Sequence, residues 1–158
     1  MSHAIEFTVD RSNVHQLRSH FEECSSSFVP ALGLRVNIGE YAKKLVDNSI
    51  RFEAWNGDQL VGCVCAYMNR HVSSVCYISN VSVSETCRRQ GVAKRLLLQC
   101  MSCAAERGFE KARLEVATQN FAGKSLYQGL GFVGVGAEAE MLILEAPLLN
   151  GDQDEYRS

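Results

Sequence analysis

The sequence has little of what builds fibrous, disordered or membrane proteins. Of its 158 residues only 2 are proline, and no tract is repetitive. No apolar run reaches the roughly 20 residues that a membrane span needs, and the first residues lack a basic segment followed by an apolar one. The 16 basic and 18 acidic residues are mixed along the chain. We therefore expect a cytoplasmic protein with no nucleic-acid or membrane partner.

What the chain does contain is the composition of one globular domain. Apolar residues make up 46% and charged residues 22%, close to the average of soluble domains. A chain of 158 residues can bury a sizeable core but is too short for two ordinary domains. We expect a single domain over residues 1–149, followed by a loose tail over 150–158, and either a monomer or a homodimer.

Cysteine is abundant, but its distribution indicates neither disulfides nor a metal. The seven cysteines are an odd number and most have apolar neighbours, which favours buried, reduced thiols. The spacings Cys63-x-Cys65 and Cys100-x-x-Cys103 place thiols on one side of a strand and of a helix. No histidine stands at ligand spacing from either pair, so we expect no metal site.

Hydrophobic periodicity predicts strands and helices in one α+β domain. A period of two predicts strands over residues 4–9, on both sides of an Asn56-Gly57 turn, and over 74–83, 111–117, 132–135 and 139–145, the last two joined at Gly136. A helical period follows a cap at Ser12, covers 38–48, runs from Gly91 to Gly108 and covers 121–130. This order predicts one sheet with helices on its faces.

The strongest local signal is a short basic turn that leads from a strand into a long helix. The first N–H groups of that helix and the positive end of its dipole would point at the turn. Gly91 and Ala93 remove bulk where an anion would approach, while Arg88, Arg89 and Lys94 add charge. This combination is typical of a phosphate or pyrophosphate site, and an ordinary solvated basic turn is the alternative for this stretch taken alone.

Two motifs in this sequence resemble the Gcn5-related N-acetyltransferases, the GNAT superfamily. The spacing Arg88-x-x-Gly91-x-Ala93 is similar to the acetyl-coenzyme A loop of that superfamily. A second family stretch follows in the expected order, as Leu114-Glu115-Val116, Asn120, Leu126-Tyr127 and Gly131-Phe132. The resemblance covers about 51–132, and its two departures are Ala93 where many members have glycine and Gly123 where alanine is usual.

The resemblance implies a fold and a reaction. The fold would be a mixed, mostly antiparallel sheet of six to seven strands with about four helices on its two faces. The reaction would move an acetyl group from acetyl-coenzyme A to a primary amine by direct attack in a ternary complex, without a metal. The acceptor would be a small-molecule amine or a protein amine. The alternative is a non-catalytic acetyl-coenzyme A sensor or interaction module of the same fold.

The resemblance also implies which residues hold the coenzyme. Backbone N–H groups of the basic turn would bind the pyrophosphate, and the strand edge near Val81 and Val83 would pair with the pantetheine arm. That edge is exposed only if the strand parts from its neighbour at a bulge, for which Asn80 is the candidate. The expected coenzyme-binding residues are Val81, Val83, Arg88, Arg89, Gln90, Gly91, Val92, Ala93, Lys94 and Asn120.

Tyr127 and Glu115 are the expected catalytic residues. Tyr127 stands at the family's recurrent tyrosine, and its phenol can protonate the departing thiolate. Glu115 interrupts an apolar strand, which is unusual unless it faces a wet cleft, and it is the first choice of general base. Their separation matches that of the ribosomal-protein alanine acetyltransferases. A core tyrosine and a solvent-facing glutamate are the alternatives, and Glu53, outward on its hairpin, and Glu85 are reserve bases.

Other positions are expected on the acceptor side of the site. A backbone N–H near Val81, freed by the bulge, would stabilise the oxyanion. The segment 25–39 and the last hairpin would shape the acceptor pocket, without a pattern that identifies the acceptor. Further candidates for this wall are Arg51, Trp55, Arg70 and His71.

Overall fold

The computed structural model describes residues 4–28 and 31–148, which form one seven-stranded sheet with helices on both faces. The strands are β1 (Glu6–Val9), β2 (Ile50–Asn56), β3 (Gln59–Tyr67), β4 (Val75–Val83), β5 (Lys111–Ala117), β6 (Val133–Glu138) and β7 (Met141–Pro147). The α-helices are α1 (Val14–Cys24), α2 (Leu32–Arg35), α3 (Ile38–Asn48), α4 (Val92–Glu106) and α5 (Phe121–Gly129). The expected α+β fold is confirmed. The expected tail, 150–158, lies outside the described residues.

The strand order β1-β2-β3-β4-β5-β7-β6 places its one parallel pair, β4 with β5, in the interior of the sheet. That pair is short, because Val75–Tyr77 is matched with Lys111–Arg113 and the pairing goes no further. The other five neighbouring pairs are antiparallel. Beyond Tyr77 the two central strands therefore separate, and a cleft opens inside the sheet.

A bulge in β4 lies where the strands begin to separate. Cys65 faces Asn80 while the next residue, Ala66, faces Ile78, so Ser79 is the extra residue in β4. The prediction of the bulge at Asn80 is wrong by one position. Asn80 is polar in an apolar strand for another reason, since its side chain is buried and hydrogen-bonded below α1 and α3.

Each face of the sheet has its own hydrophobic core. The face covered by α4 buries Phe52, Val64, Ile78, Leu96, Leu97 and Leu114 among others. The face covered by α1 and α3 buries Leu17, Phe21, Leu45, Trp55 and Leu60 with the thiols of Cys63 and Cys65. Each fully buried large side chain contributes about 1.5–3 kcal/mol. Because helices cover both faces, the middle of β2 and of β3 is buried on both sides.

The entry to α1 differs from the prediction. Asn13, and not Ser12, caps the helix: its Oδ1 accepts a hydrogen bond from the Gln16 N–H at 2.8 Å, and Gln16 returns one at 3.0 Å. Ser12 is buried instead, with its N–H 3.1 Å from the Glu53 carboxylate and its Oγ accepting from Arg51 Nε at 3.0 Å. Ser12 thus joins the helix entry to β2.

Glu53 is fully buried, so the prediction that it faces outward as a reserve base is wrong. Its carboxylate accepts hydrogen bonds from the Arg11 N–H at 2.7 Å and from Thr8 Oγ1 at 3.2 Å, and Arg51 Nε lies 3.4 Å away. Trp55 Nε1 donates to the same Thr8 hydroxyl at 2.7 Å. Arg51 and Trp55 therefore belong to this buried layer and do not line an acceptor pocket.

Both hairpin turns lie a few residues from their predicted positions. Asn56 ends β2, and the first turn is formed by Gly57 and Asp58, with Gly57 at φ +60°. The second turn is Ala139–Glu140 and not Gly136, because Gly136 is part of β6 beside an irregularity in its pairing with β7. Ala139 adopts φ +54° without glycine's freedom.

All seven cysteines are free thiols, six of them buried and Cys103 half-buried. Within 4–28 and 31–148, no three metal-binding side chains come together. No helix in the same ranges has both the length and the apolar sequence that a bilayer crossing requires.

Candidate active site

The cleft between β4 and β5 has a volume of about 570 Å³ and receives side chains from most of the predicted site. Its basic side is formed by Arg88, Arg89, Ala93, Asn120, Ala122 and Gly123. Its opposite side, here called the acceptor side, is formed by Ser27, Phe28, Arg35, Tyr77, Glu115 and Met141. The segment 25–39 and the last hairpin thus both reach the cleft, as predicted.

The basic turn after β4 has the conformation that an anion site requires. Arg89 and Gly91 both adopt left-handed backbone angles, φ +64° and +76°, and Gly91 caps α4. A Cβ atom at Gly91 would meet no other atom within 4 Å, so the space beside this residue is open. The first N–H groups of α4 have no partners in their own helix and are available there. Arg88 Nε donates to the Val83 carbonyl oxygen at 3.2 Å, which anchors the turn to β4.

Six of the ten predicted coenzyme-binding residues line the cleft. They are Val81, Val83, Arg88, Arg89, Ala93 and Asn120. The other four, Gln90, Gly91, Val92 and Lys94, belong to the same turn and the start of α4 but are not part of the lining. The Val92 side chain is buried against Gly62 of β3, where a Cβ would lie 3.1 Å from Val92 Cγ1. This close packing fixes the start of α4 relative to the sheet.

Asn120 has a structural role in addition to the predicted one. Its Oδ1 accepts a hydrogen bond from the Gly123 N–H at 2.9 Å and caps α5, which leaves its Nδ2 group as the donor available to a ligand. A Cβ at Gly123 would lie 2.7 Å from that Nδ2. An alanine at this position would force the Asn120 side chain to shift. Gly123 therefore allows Asn120 to keep its place at the edge of the cleft.

The structure brings Tyr127 and Glu115 into the same cleft. Tyr127 is only 7% exposed, and its ring meets Phe132 edge-on at a centroid distance of 6.0 Å. Burial raises the pKa of Tyr127 to about 12, so its phenol keeps its proton at neutral pH. Glu115 is exposed between the buried Leu114 and Val116, as a carboxylate facing a wet cleft would be. Both predicted catalytic positions thus lie on the cleft wall.

Three other sequence candidates lie outside the cleft lining. Glu85 is exposed in a short 3-10 turn after β4. Arg70 and His71 are exposed in the loop between β3 and β4, where Arg70 Nη1 donates to the Gly108 carbonyl oxygen. The prediction that Arg70 and His71 line the acceptor wall is therefore wrong, and Glu85 does not reach the cleft.

Sequence reasoning missed a polar cluster at the cleft wall, which Ser79, Asn80 and Ser82 line. Ser82 Oγ donates to Asn80 Oδ1 at 2.8 Å, and the Asn80 amide lies 3.5 Å from the Tyr41 hydroxyl. Tyr41 donates to the Ser79 carbonyl oxygen at 3.1 Å, directly at the bulge. His20, which is 2% exposed, completes the cluster on the far side of Ser82. The polar residues within β4 signal such a cluster, but their helical partners are fixed only by tertiary packing.

Burial and hydrogen bonds shift several pKa values around this cleft. Burial raises the pKa of Tyr41 to about 12, against the opposing effect of its hydrogen bond with Ser79. The pKa of the Glu145 carboxyl is lowered by its hydrogen bond from Arg113, with Lys111 acting in the same direction. Arg113 Nε lies 2.6 Å and Lys111 Nζ 3.3 Å from Glu145. Glu145 is therefore an ion-paired carboxylate at neutral pH.

Comparison with known sequences and structures finds one family model and several structural neighbours. The model of the acetyltransferase (GNAT) family matches residues 14–132. The PaiA N-acetyltransferase from Thermoplasma acidophilum, solved with coenzyme A, has a TM-score of 0.73 at 17% identity over 92% of this chain and 99% of its own. A Bacillus subtilis acetyltransferase, also in complex with coenzyme A, has a TM-score of 0.71 at 18% identity over 92% and 100%.

The ribosomal-protein-S18-alanine N-acetyltransferase from Escherichia coli is a further structural neighbour. Its TM-score is 0.74 at 16% identity, over 94% of this chain and 97% of its own. At these identities the likeness to solved structures concerns the fold. No curated protein sequence matches the chain.

Proposed function

The chain belongs to the acetyltransferase (GNAT) family, and from this premise we propose that it transfers the acetyl group of acetyl-coenzyme A to a primary amine by direct attack in a ternary complex. One observation carries the proposal. A single cleft joins an open, left-handed basic turn to a protonated, buried tyrosine and an exposed glutamate. An anion site, a proton donor and a proton acceptor are the groups that this reaction needs.

The residues present fit the coenzyme. The N–H groups at the start of α4, with Arg88 and Arg89, suit a pyrophosphate, and a bulky residue at Gly91 would fill the open space before them. The pantetheine arm is an extended chain with amide groups, and the edge of β4 at Val81 and Val83 is free of β5 beyond Tyr77. That edge can accept the arm as it would accept a further strand. Asn120 Nδ2 supplies one more donor.

Each chemical step has a residue of this chain assigned to it. Glu115 takes a proton from the ammonium ion, directly or through water, so that the neutral nitrogen can attack the thioester carbonyl carbon. The backbone N–H near Val81, beside the bulge, stabilises the negative charge that develops on the carbonyl oxygen. Tyr127 donates its proton to the sulfur as the carbon–sulfur bond breaks. The products are the acetylated amine and coenzyme A.

The acceptor is a primary amine on a small molecule or on a protein. The E. coli neighbour is named for an alanine of a ribosomal protein. The separation of Glu115 and Tyr127 in this chain resembles that type. We place the reaction in the cytoplasm, on a monomer or homodimer and without a metal. Nothing in this proposal depends on a cysteine, because the thiols belong to the cores and not to the cleft lining.

The test is a thioester-release assay with acetyl-coenzyme A and a panel of primary amines, with the acetylated product identified by mass. Amine-dependent release of free coenzyme A with a matching product supports the proposal. Binding of acetyl-coenzyme A without release of thiol for any amine would instead support a non-catalytic sensor of the same fold. Trapping of an acetylated cysteine during turnover would contradict direct transfer.

A further inference from the structure

The acceptor side of the cleft holds one basic and one acidic side chain that pair with no other described residue. Arg35, the last residue of α2, and Glu115 of β5 both line the cleft. In the ranges 4–28 and 31–148, neither makes an ion pair or a side-chain hydrogen bond. Arg113 and Lys111 on the same strand as Glu115 do have a partner, since both pair with Glu145. An acceptor side that keeps one charge of each sign without an ion pair is complementary to a ligand that carries both.

The hydroxyl of Tyr77, which also lines the cleft, is influenced by the charges of both Arg35 and Glu115. Burial raises the pKa of the Tyr77 hydroxyl, and Glu115 raises it further, while Arg35 and Arg113 lower it. The carboxylate and the two guanidinium groups are therefore all within electrostatic range of one hydroxyl on β4. Arg113 has Glu145 beside it at 2.6 Å, which leaves Arg35 as the guanidinium without a neutralising neighbour.

Arg35 is presented in a way that suits an anion. Its guanidinium carbon lies 5.9 Å from the centroid of the Phe28 ring, which also lines the cleft. An arginine held over an aromatic face keeps the N–H groups at the edge of its plane free for two parallel hydrogen bonds to a carboxylate.

We infer that the acceptor is a small zwitterionic amine, in which the reacting nitrogen lies at Glu115 and a carboxylate on the same molecule binds Arg35. This inference rests on the proposed function and names the substrate class of that same cleft. A polyamine would place its second cation against Arg35. An amine without an anionic group would leave the Arg35 guanidinium without a counter-charge. A zwitterion satisfies both side chains at once.

The experiment compares amine acceptors in matched pairs that differ only in the anion. Each amino acid, with its amine and carboxylate separated by one, two or three carbons, is assayed beside its own carboxamide. Because amidation lowers the pKa of the amine, kcat/KM is compared at its high-pH plateau, where both amines are neutral. For the best acceptor we expect the acid to exceed its amide by roughly 10- to 100-fold, as charge-assisted hydrogen bonds do.

Variants at Arg35 test whether this residue causes the preference for the acid over its amide. Arg35→Gln should remove the preference for the acid by raising the KM for the acid, so that kcat/KM becomes similar for each acid and its amide. Arg35→Lys should restore part of the preference for the acid. Arg107→Gln is the matched control, because Arg107 is exposed and lies in a separate groove with Val9 and Ile50.

The outcomes separate this inference from the proposed function. Equal turnover of every acid and its amide would overturn the inference, and so would an acid preference that survives Arg35→Gln. Acetylation of polyamines or neutral amines but of no amino acid would also overturn it, while leaving the acetyltransferase function intact. Absence of turnover with all of these amines would overturn the inference, and absence of turnover with protein N-termini as well would overturn the proposed function.

Discussion

The Nε2 atom of His20 lies 2.9 Å from the hydroxyl of Ser82, and this contact ties α1 to the strand that carries the bulge. From Ser82 the hydrogen bonds continue through Asn80 and Tyr41 to the Ser79 carbonyl oxygen. Helices α1 and α3 therefore both hold the segment of β4 that borders the cleft. A bulge that would otherwise be a soft point of the sheet is fixed from the side opposite α4.

Substitution of Gly91 should separate coenzyme binding from folding. Gly91→Val places a branched side chain at φ +76° and in the open space before the turn. We expect the rise in melting temperature that acetyl-coenzyme A gives the wild type to disappear. Gly57→Val is the matched control, since Gly57 also has a positive φ of +60° and open space around it, but lies in a hairpin turn away from the cleft.

The Gly57→Val control should lose a similar amount of stability and keep the rise in melting temperature that acetyl-coenzyme A causes. A Gly91→Val protein that shows the full shift would place the pyrophosphate elsewhere.

Removal of the Tyr127 hydroxyl should reduce kcat without weakening coenzyme binding. Tyr127→Phe keeps the ring that packs on Phe132 and removes only the proton donor. We expect kcat to fall by about 100-fold. Tyr67→Phe, at a half-buried tyrosine outside the cleft lining, should change kcat little. Steady-state kinetics and coenzyme titration of both variants measure this, and a fully active Tyr127→Phe would remove the acid assignment.

The pKa of Tyr127 also predicts the alkaline side of the pH profile. Burial raises this pKa to about 12, so the phenol is a donor below that pH and loses its proton only as the pH rises through it. The wild-type kcat should therefore not decline between neutrality and about pH 10. A decline within that range, with the protein still folded by circular dichroism, would contradict Tyr127 as the acid.

Glu115 should affect the acidic side of the profile. Glu115→Gln keeps the shape of the side chain and removes the proton acceptor, so the rate should fall most at neutral pH. The deficit should shrink as the pH rises, because the amine then loses its proton to solvent. Glu85→Gln, an exposed glutamate outside the cleft lining, is the control and should keep the wild-type profile. A Glu115→Gln enzyme with wild-type rates at every pH would reduce Glu115 to a surface residue.

Glu53 should matter for stability and not for proton transfer. Glu53→Gln leaves the Arg51 guanidinium, itself 4% exposed, without its buried counter-charge. We expect a loss of about 3 kcal/mol in the free energy of unfolding, measured by urea titration. Glu22→Gln, which breaks an exposed pair with Arg18, should cost less than about 1 kcal/mol. A Glu53→Gln protein of normal stability but altered pH profile would reverse this assignment.

Periodicity predicted those elements whose environment is uniform along their length. The helix over 38–48 and the strand over 111–117 have the predicted bounds, since each shows one apolar face to the sheet or to its core. Helix α2 was missed because a single turn has too few residues to show a period. Glu53 was placed on the outside because alternation assumes one solvated face, whereas both faces of β2 are covered.

The site was predictable where a backbone requirement is visible in the residue types. Gly91 removes bulk where an anion approaches the start of a helix, and an acid inside an apolar strand indicates a wet cleft at Glu115. The bulge at Ser79 and the contacts of His20, Tyr41 and Arg35 depend on residues far apart in the sequence. No local pattern records which helix covers which strand, so these parts of the site could be found only from the fold.

The short pairing of β4 with β5 makes the sheet two plates joined by a narrow seam. Strands β1 to β4 form one plate, and β5, β7 and β6 form the other, with three residues from each side along the join. The angle between the plates sets the width of the cleft. Substitutions at the seam, at Cys76 or Ala112, would therefore change how far apart the walls stand without contacting any ligand. In hydrogen exchange, amides at the seam should exchange slowly, and those of Val81 and Val83 that face the gap should become protected only when a ligand bridges the plates.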